Sequence, residues 1–578
     1  MVSVWFRRPL LVAMNSRYTH SNPAVCCLKN YAELYGYHSE CLEFHINGQP
    51  LEMLSAIVER KPDLVGFSCY IWNYNLVVSL SSMLKKVLPD CRVLWGGPQM
   101  KGRGRLCLRK YPQVDYVLEG EGELGWTALL ALSDPVDLEE VPNLFYRQSG
   151  DIRENPPAPP LDLSELPNYY TEEDLRRLRE HILYYESSRG CPFGCKFCLS
   201  SEDPIRYRAL PLVLEDLRRL IESGCRKIKF VDRTFNSNPR RAVDLLRGLL
   251  DLYREGVCFH LELEPLCLSE ELVSVLLQAP AGYFQAEIGV QSLYEPALRA
   301  VGRHPLQPKA MDFIKTLLAK ENIHLHLDLI AGLPYEGLAD FKDSFNGLYQ
   351  LRPHYLQLGF LKILPGTPLA AEADSYGLVY MEEPPYQILR TPWLSYEEFC
   401  QLAVVETAVD GYYNEMFFEQ TLDLAVEQWR KQGGQPFDFF YELGRADRLH
   451  PGGKNQAQKG RVLYEFLLEK LPEQTSLWRS ALRLDFSRAN QQPPAFLGEY
   501  NEMGFVRAHE ELFLTVFPRL ADLPRRKWLK QLRVFSLEET VGLYAPGVYV
   551  ADFTETAGIW QRPRLVRMTG AARIFEKL

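Results

Sequence analysis

The chain has 578 residues, 46% of them hydrophobic and 24% charged, with a formal net charge of −9. That length calls for three or four folding units and the composition excludes extensive disorder. The acidic balance argues against a nucleic-acid partner, since such proteins carry a basic excess to neutralise phosphates.

The first 150 residues alternate short apolar runs with amphipathic segments: PLLVAM (9–14), SECLEF (39–44), DLVGFSC (63–69), RVLWGG (92–97) and DYVLEG (115–120) read as strands, and NPAVCCLKNYAELYG and LEMLSAIVERK as helices. The pattern predicts a doubly wound, Rossmann-like α/β domain over 1–150, with ligands at the carboxyl ends of its strands. Those ends carry NSRYTHSNP, CYIWNYN, GGPQM and GEGE. The proline-rich NPPAPPLDLSELPNYY (155–170) places a linker over 151–178.

A second series runs over 179–384: ILYYESS, KIKFVD, FHLELE, YFQAEIGVQS, HLHLDLIAGLP and YLQLGFLKILPGTP, with amphipathic segments between them. It predicts a partial (β/α)6 TIM-like barrel whose chemistry lies at the carboxyl ends of its strands. Residues 385–578 are aromatic-rich and mainly helical, with strand character at YVADFTETAGIW (549–560) and no chemical motif. They predict a third domain, placed to cover the barrel or hold a substrate.

With thirteen cysteines, no export signal and no apolar run of about 18 residues, the chain is expected to be cytoplasmic, without a membrane span. In a reducing compartment thiols serve as metal ligands or small buried residues. Cys191, Cys195 and Cys198 are spaced CxxxCxxC within GCPFGCKFC (190–198), immediately after a predicted strand. Three thiolates can hold three irons of a 4Fe–4S cluster and leave the fourth iron open for a ligand that reacts. A structural zinc site needs a fourth ligand at matching spacing, and the neighbouring sequence supplies none.

On these residues the chain resembles the radical S-adenosylmethionine superfamily, over most of 180–370. The resemblance implies that S-adenosylmethionine chelates the open iron. It also implies that Asp232 in FVDRTFN faces the methionine amino group, Glu262 in FHLE binds the ribose or amino group, and Gln291 in GVQS meets the nucleoside. Arg303 in GRH would pair with the methionine carboxylate, which a guanidinium matches through parallel hydrogen bonds, and Asp328 in HLDLIAGLP completes the set.

An α/β domain ahead of the cysteine loop, with SCYIWNYN (68–75), WGGPQM (95–100) and LEGEGE (118–123), resembles the cobalamin-binding domain of cobalamin-dependent radical enzymes. That likeness implies cobalamin contacts at Ser68, Tyr70, Trp72, Asn73, Gly96, Gly97, Pro98, Gly120, Glu121 and Gly122. His20 lacks the aspartate and glycine of a DxHxxG motif, so cobalamin is expected without a histidine on cobalt.

The activity the resemblance implies is methyl transfer to an unreactive carbon through a 5′-deoxyadenosyl radical and methylcobalamin. The substrate would be a small molecule or peptide, and an external donor such as flavodoxin or ferredoxin would supply electrons. Two other outcomes fit the same residues: a rearrangement, ring contraction or cyclisation without methyl transfer, and a cobalamin or redox sensor without turnover.

Overall fold

Apolar runs β1 (Pro9–Asn15), β2 (Glu40–His45), β3 (Leu64–Ser68), β4 (Arg92–Gly96) and β5 (Tyr116–Leu118) pair in parallel in the order β2-β1-β3-β4-β5. The computed structural model describes residues 5–568 except 202, 499–501, 558 and 560. β1 and β3 are buried along their whole length, as central strands covered on both faces must be. Helix Pro23–Leu34, which follows β1, starts where the sequence provides for it: the Asn22 side chain accepts from the Val25 N–H, and proline occupies the first turn.

The sheet extends further than the sequence pattern indicates. β6 (Leu144–Gln148) and β7 (Asp151–Glu154) form an antiparallel hairpin on β5, so residues 151–154 belong to the sheet and not to the linker. The two turn residues explain it: Ser149 (φ 52°) and Gly150 (φ 89°) both adopt the left-handed conformation of a type I′ turn.

The second unit places β8 (Ile182–Tyr185), a short hairpin β9 (Ser188–Arg189) and β10 (Arg206–Tyr207), then β11 (Lys227–Phe230), β12 (Cys258–Leu263), β13 (Phe284–Gln291), β14 (His324–Ala331) and β15 (Tyr355–Phe360). β8-β11-β12-β13-β14-β15 form one parallel sheet, the partial barrel expected from the repeating strand–helix text. Alternation divides its faces. Phe259, Leu261 and Leu263 on β12, with Phe284, Ala286, Ile288 and Val290 on β13, are buried against helices. The intervening residues, polar apart from glycine, face inward. The outer layer is built to match: helix Leu210–Glu222 buries Val213, Leu217, Leu220 and Ile221, one stripe at helical spacing.

Beyond the barrel, helices Tyr396–Ala408, Glu419–Lys431, Pro436–Arg448, Gln456–Lys470 and Thr475–Arg488 pack into the same apolar core, which runs from Cys26 and Tyr31 of the first helix to Leu497. A three-stranded antiparallel sheet, Leu532–Leu537, Gly547–Ala557 and Arg562–Met568, follows them. The strand character read at 549–560 lies largely in Gly547–Ala557; residues 558 and 560 fall outside the described residues. Among the described residues no helix is long and apolar enough to cross a membrane.

Candidate active site

The cysteine loop is closed at its base by the β9–β10 ladder, in which Arg189 faces Arg206 and Ser188 faces Tyr207. Gly190 opens the loop at φ 93°, and a β-carbon there would lie 2.4 Å from the Pro204 carbonyl oxygen. Cys195 is buried, Cys191 and Cys198 are partly exposed, and all three are free thiols. Gly190→Ala is therefore expected to lower iron incorporation severalfold and to cost about 1–2 kcal/mol in stability, the ordinary penalty for a left-handed L-residue before any clash. Iron content after reconstitution and a urea melt check this.

Asp232, just past β11, sits behind the loop. Its carboxylate accepts from the Ser187 N–H (2.7 Å), the Ser187 hydroxyl (2.6 Å) and the Ser188 hydroxyl (2.7 Å). Burial pushes its pKa up to about 6 against these donors. In this arrangement Asp232 positions the entry to the cysteine loop.

Arg303 joins the loop to the barrel. Its guanidinium donates to Cys195 Sγ (3.2 Å), Glu264 Oε2 (3.0 Å) and the Gly289 carbonyl (2.7 Å). Burial raises the Cys195 thiol pKa, and the Arg303 charge opposes that shift. Gln291 lies at the end of β13 at φ 70°, where the pairing with β14 shifts by a residue. Gly289 makes room for it, since a β-carbon there would fall 2.2 Å from Gln291 Nε2.

The inward side chains form rows across the sheet. Register aligns Lys229 with His260 and His260 with Gln285; Glu262 with Glu287 and Glu287 with His326; and Gly289 with Asp328. Lys229 Nζ lies 3.5 Å from Glu262 and 3.7 Å from Glu287. His260 Nε2 is 3.1 Å from Glu287 Oε2 and holds that carboxyl below the usual carboxylate range. Burial, and then the Glu287 charge, drive Asp328 well above it, so Asp328 keeps the proton of this pair. Burial also raises Glu262 and pushes His326 down to about 4, leaving a neutral imidazole.

The strand ends of the N-terminal domain make a compact rim. Asn73 orders the loop after β3: its side chain donates to the carbonyls of Met14 (3.1 Å) and Ser68 (2.8 Å) and accepts from the Tyr70 N–H (2.8 Å). Tyr70 stacks on Trp72 at 4.3 Å between centroids, and the Trp72 indole N–H donates to the Met14 carbonyl. Gly97 has φ 95° and packs so closely on the β3 loop that a β-carbon would meet the Cys69 carbonyl oxygen at 2.9 Å. Pro98 then opens a short helical turn, while Gly96 accepts from the Cys69 N–H at 2.7 Å.

Gly120 (φ 69°) and Gly122 flank Glu121, whose carboxylate is engaged by Arg189 and Arg206 of the β9–β10 ladder. His20 Nδ1 is 2.9 Å from Tyr184 Oη, beside a bridge from His20 to Ile182 of β8. Sequence reasoning passed over Arg189, Lys229, His260, Glu264, Glu287 and His326. Period-two alternation could have found the strand residues among them, because 285, 287, 289 and 291 share one face of β13.

The arrangement fits the groups that the motifs imply. Among the described residues, no three His, Cys, Asp or Glu side chains converge as one metal ion requires. A four-iron cluster instead gives each of three thiolates its own iron. Asp328 Oδ1 and Arg303 Nε are buried without a hydrogen-bond partner beside these thiols and carboxylates, as expected of groups that meet a polar ligand.

Comparison with known proteins agrees in three segments. Residues 9–130 match the family model of the B12 binding domain, 185–347 that of the radical SAM superfamily, and 374–548 a protein family of unknown function, DUF4080. A segment similar to the B12 binding domain thus precedes one similar to the radical SAM superfamily.

The chain is 28% identical over 363 residues to the cobalamin-dependent radical SAM methyltransferase TokK of Streptomyces tokunonensis, an alignment covering 58% of this chain and 52% of TokK. It is 26% identical over 419 residues to the hopanoid C-2 methylase of Rhodopseudomonas palustris, covering 69% and 70% of the two chains. The chain spans just over half the length of TokK and of a 2-(S-pantetheinyl)-carbapenam-3-carboxylate methyltransferase from Streptantibioticus cattleyicolor, 52% and 57% respectively. Among solved structures, the radical SAM methyltransferase TsrM of Kitasatospora setae, with cobalamin and a [4Fe–4S] cluster bound, superposes with a TM-score of 0.55 at 16% identity over 65% of this chain and 78% of TsrM. OxsB with aqua-cobalamin gives 0.57 at 15% identity over 83% and 80%, which shows the shared fold.

Proposed function

We propose that the chain is a cobalamin-dependent radical S-adenosylmethionine methyltransferase acting on an unreactive carbon of a small molecule or peptide. The observation that carries this reading is one juxtaposition: a three-thiol loop at the carboxyl end of β8, with Arg303 joining Cys195 to the strand ends and the rim of the B12-binding domain gripping the same loop. When bound, the cluster and S-adenosylmethionine supply a 5′-deoxyadenosyl radical, and cobalamin supplies the methyl group.

Cys191, Cys195 and Cys198 would hold the cluster. Arg303 and Gln291 would orient S-adenosylmethionine through its carboxylate and nucleoside, with Glu262 and Asp328 on its ribose and amino groups. Asp328, carrying the proton of its pair with Glu287, can donate as well as accept. Asp232 supports the loop from behind. The β3 loop with Ser68, Tyr70 and Trp72, the β4 loop with Gly96, Gly97 and Pro98, and the β5 loop with Gly120 and Gly122 would face cobalamin, Asn73 and Glu121 keeping their loops in shape. A reducing cytoplasm suits the thirteen free cysteines, and a flavodoxin or ferredoxin is the electron source we propose.

The test is anaerobic reconstitution with iron, sulfide and cobalamin quantified together, followed by turnover with reductant against a Cys198→Ala control. Bound cobalamin, 5′-deoxyadenosine absent from the control, and a product heavier by one methyl group are expected. OxsB, a cobalamin-dependent S-adenosylmethionine radical enzyme, is similar over 83% of this chain, against 65% for the methyltransferase TsrM. A reaction with the same cofactors and an unchanged carbon count is therefore the second reading, and product mass decides between them.

A further inference from the structure

The cysteine loop is held from outside the barrel at both ends. At its base, Arg189 Nη1 lies 3.0 Å from Glu121 Oε2 and Nη2 donates to Glu123 Oε1 at 2.8 Å, while Arg206 pairs with the other oxygen of Glu121. Arg189 also ties in Glu186, at the end of β8, through Nη2 at 2.7 Å. Further along, Lys101 Nζ donates to the Leu199 carbonyl (2.7 Å), one residue past Cys198, and to Asp203 Oδ1 (3.2 Å). Glu121 and Glu123 follow β5, and Lys101 follows β4. These two loops also carry Gly97, Pro98, Gly120 and Gly122.

The contact is more than a surface ion pair. The Arg189 side chain is 19% exposed and that of Glu123 7%, so three carboxylates gather around one largely buried guanidinium, with Arg206 as the second cation. Removing Arg189 would leave partly buried carboxylates without their main counter-charge, a state proteins avoid. The glycines beside the clamp give it defined geometry: a β-carbon at Gly97 would meet the Cys69 backbone of the β3 loop, and one at Gly190, directly after Arg189, would meet the 203–204 backbone. A displacement of the β4 or β5 loop is thus carried to the cysteine loop through short, charged contacts.

We propose that Arg189 is a positioning residue that couples the two cofactor sites, with Lys101 as the second tie: the conformation of the β4 and β5 loops sets that of the cysteine loop, and the reverse. The inference rests on the reading of those two loops as cobalamin contacts. Coupling of this kind is reciprocal, so a cofactor that orders one side favours the ordered state of the other by the same factor.

The experiment uses the whole 578-residue chain without its cluster, so that turnover plays no part. Backbone hydrogen exchange of residues 190–205 is followed with and without hydroxocobalamin, whose binding is read separately by absorbance. In the wild-type chain hydroxocobalamin is expected to slow exchange in this segment at least about fivefold, the lower end of ordinary coupling. Arg189→Met should still bind hydroxocobalamin but lose that protection, and Arg189→Lys should keep part of it.

Lys101→Met, a change at a more exposed tie, serves as the second variant should Arg189→Met fold poorly, and it should weaken protection of the 199–203 stretch. Equal protection in the wild type and in both methionine variants overturns the proposal. So does absence of protection in a wild-type chain with hydroxocobalamin bound. A wild-type chain that binds no hydroxocobalamin overturns the reading of the N-terminal domain, and this inference with it.

Discussion

Cys195→Ala is expected to purify without iron–sulfur absorption after reconstitution and to form 5′-deoxyadenosine at least about 10³-fold more slowly than the wild type, the scale of losing an essential catalytic group. Cys195 is the buried member of the three and the one to which Arg303 donates. Alanine would remove one of the three proposed cluster ligands and take the acceptor from a buried guanidinium N–H in one change. Cobalamin binding should persist, because the B12-binding domain has its own sheet and core clusters. Iron and sulfide analysis, electron paramagnetic resonance of the reduced protein and product quantification check the prediction; a full cluster with an unchanged rate would refute it.

Arg303→Met should produce the second large effect, and on a different quantity. The guanidinium satisfies Glu264, the Gly289 carbonyl and Cys195 together, and its side chain is 12% exposed beside a Glu264 side chain at 9%. Breaking a buried pair of this kind costs about 3–5 kcal/mol, because the remaining carboxylate has no cation. The expected phenotype is a lower melting temperature together with a rise in KM for S-adenosylmethionine and a fall in 5′-deoxyadenosine formation of about 10²-fold. Glu264→Gln should fall by less, since the other two acceptors still orient Arg303. Arg303→Lys should resemble methionine more than arginine, because a single ammonium cannot reproduce a planar fork with three acceptors. A variant that loses stability while keeping its KM for S-adenosylmethionine would restrict Arg303 to a structural role.

Much of the architecture was legible because it depends on local pattern. All six barrel strands lie where apolar runs alternate with amphipathic helices, and the cysteine loop follows β8 as its spacing and glycines suggest. The β6–β7 hairpin was not legible, because its turn is Ser149-Gly150, and serine is an uncommon choice for a position that needs positive φ. At the site, motif residues announce themselves one at a time, whereas partners depend on register. Nothing local ties Glu264 to Arg303, 39 positions away, or Arg189 to Glu123, 66 positions away. Glu121 shows the limit most clearly: its glycine-flanked motif drew it toward a cofactor, and the structure engages it with two arginines from another domain.

The polar lining of the barrel has a consequence for how such a protein can change. Residues 260, 262, 285, 287, 326 and 328 stand on the side of their strands away from the helices, and the fold's apolar core is built from their neighbours at odd positions on β12 and β14 and at even positions on β13. Replacing a lining side chain therefore removes little of the packing that holds strands to helices, unlike an exchange at Leu261, Ile288 or Leu327. Selection can rewrite the inner surface for a new guest molecule while the scaffold keeps its stability. One architecture can in this way serve a lineage of chemistries whose members share the outer faces of their strands and differ on the inner ones.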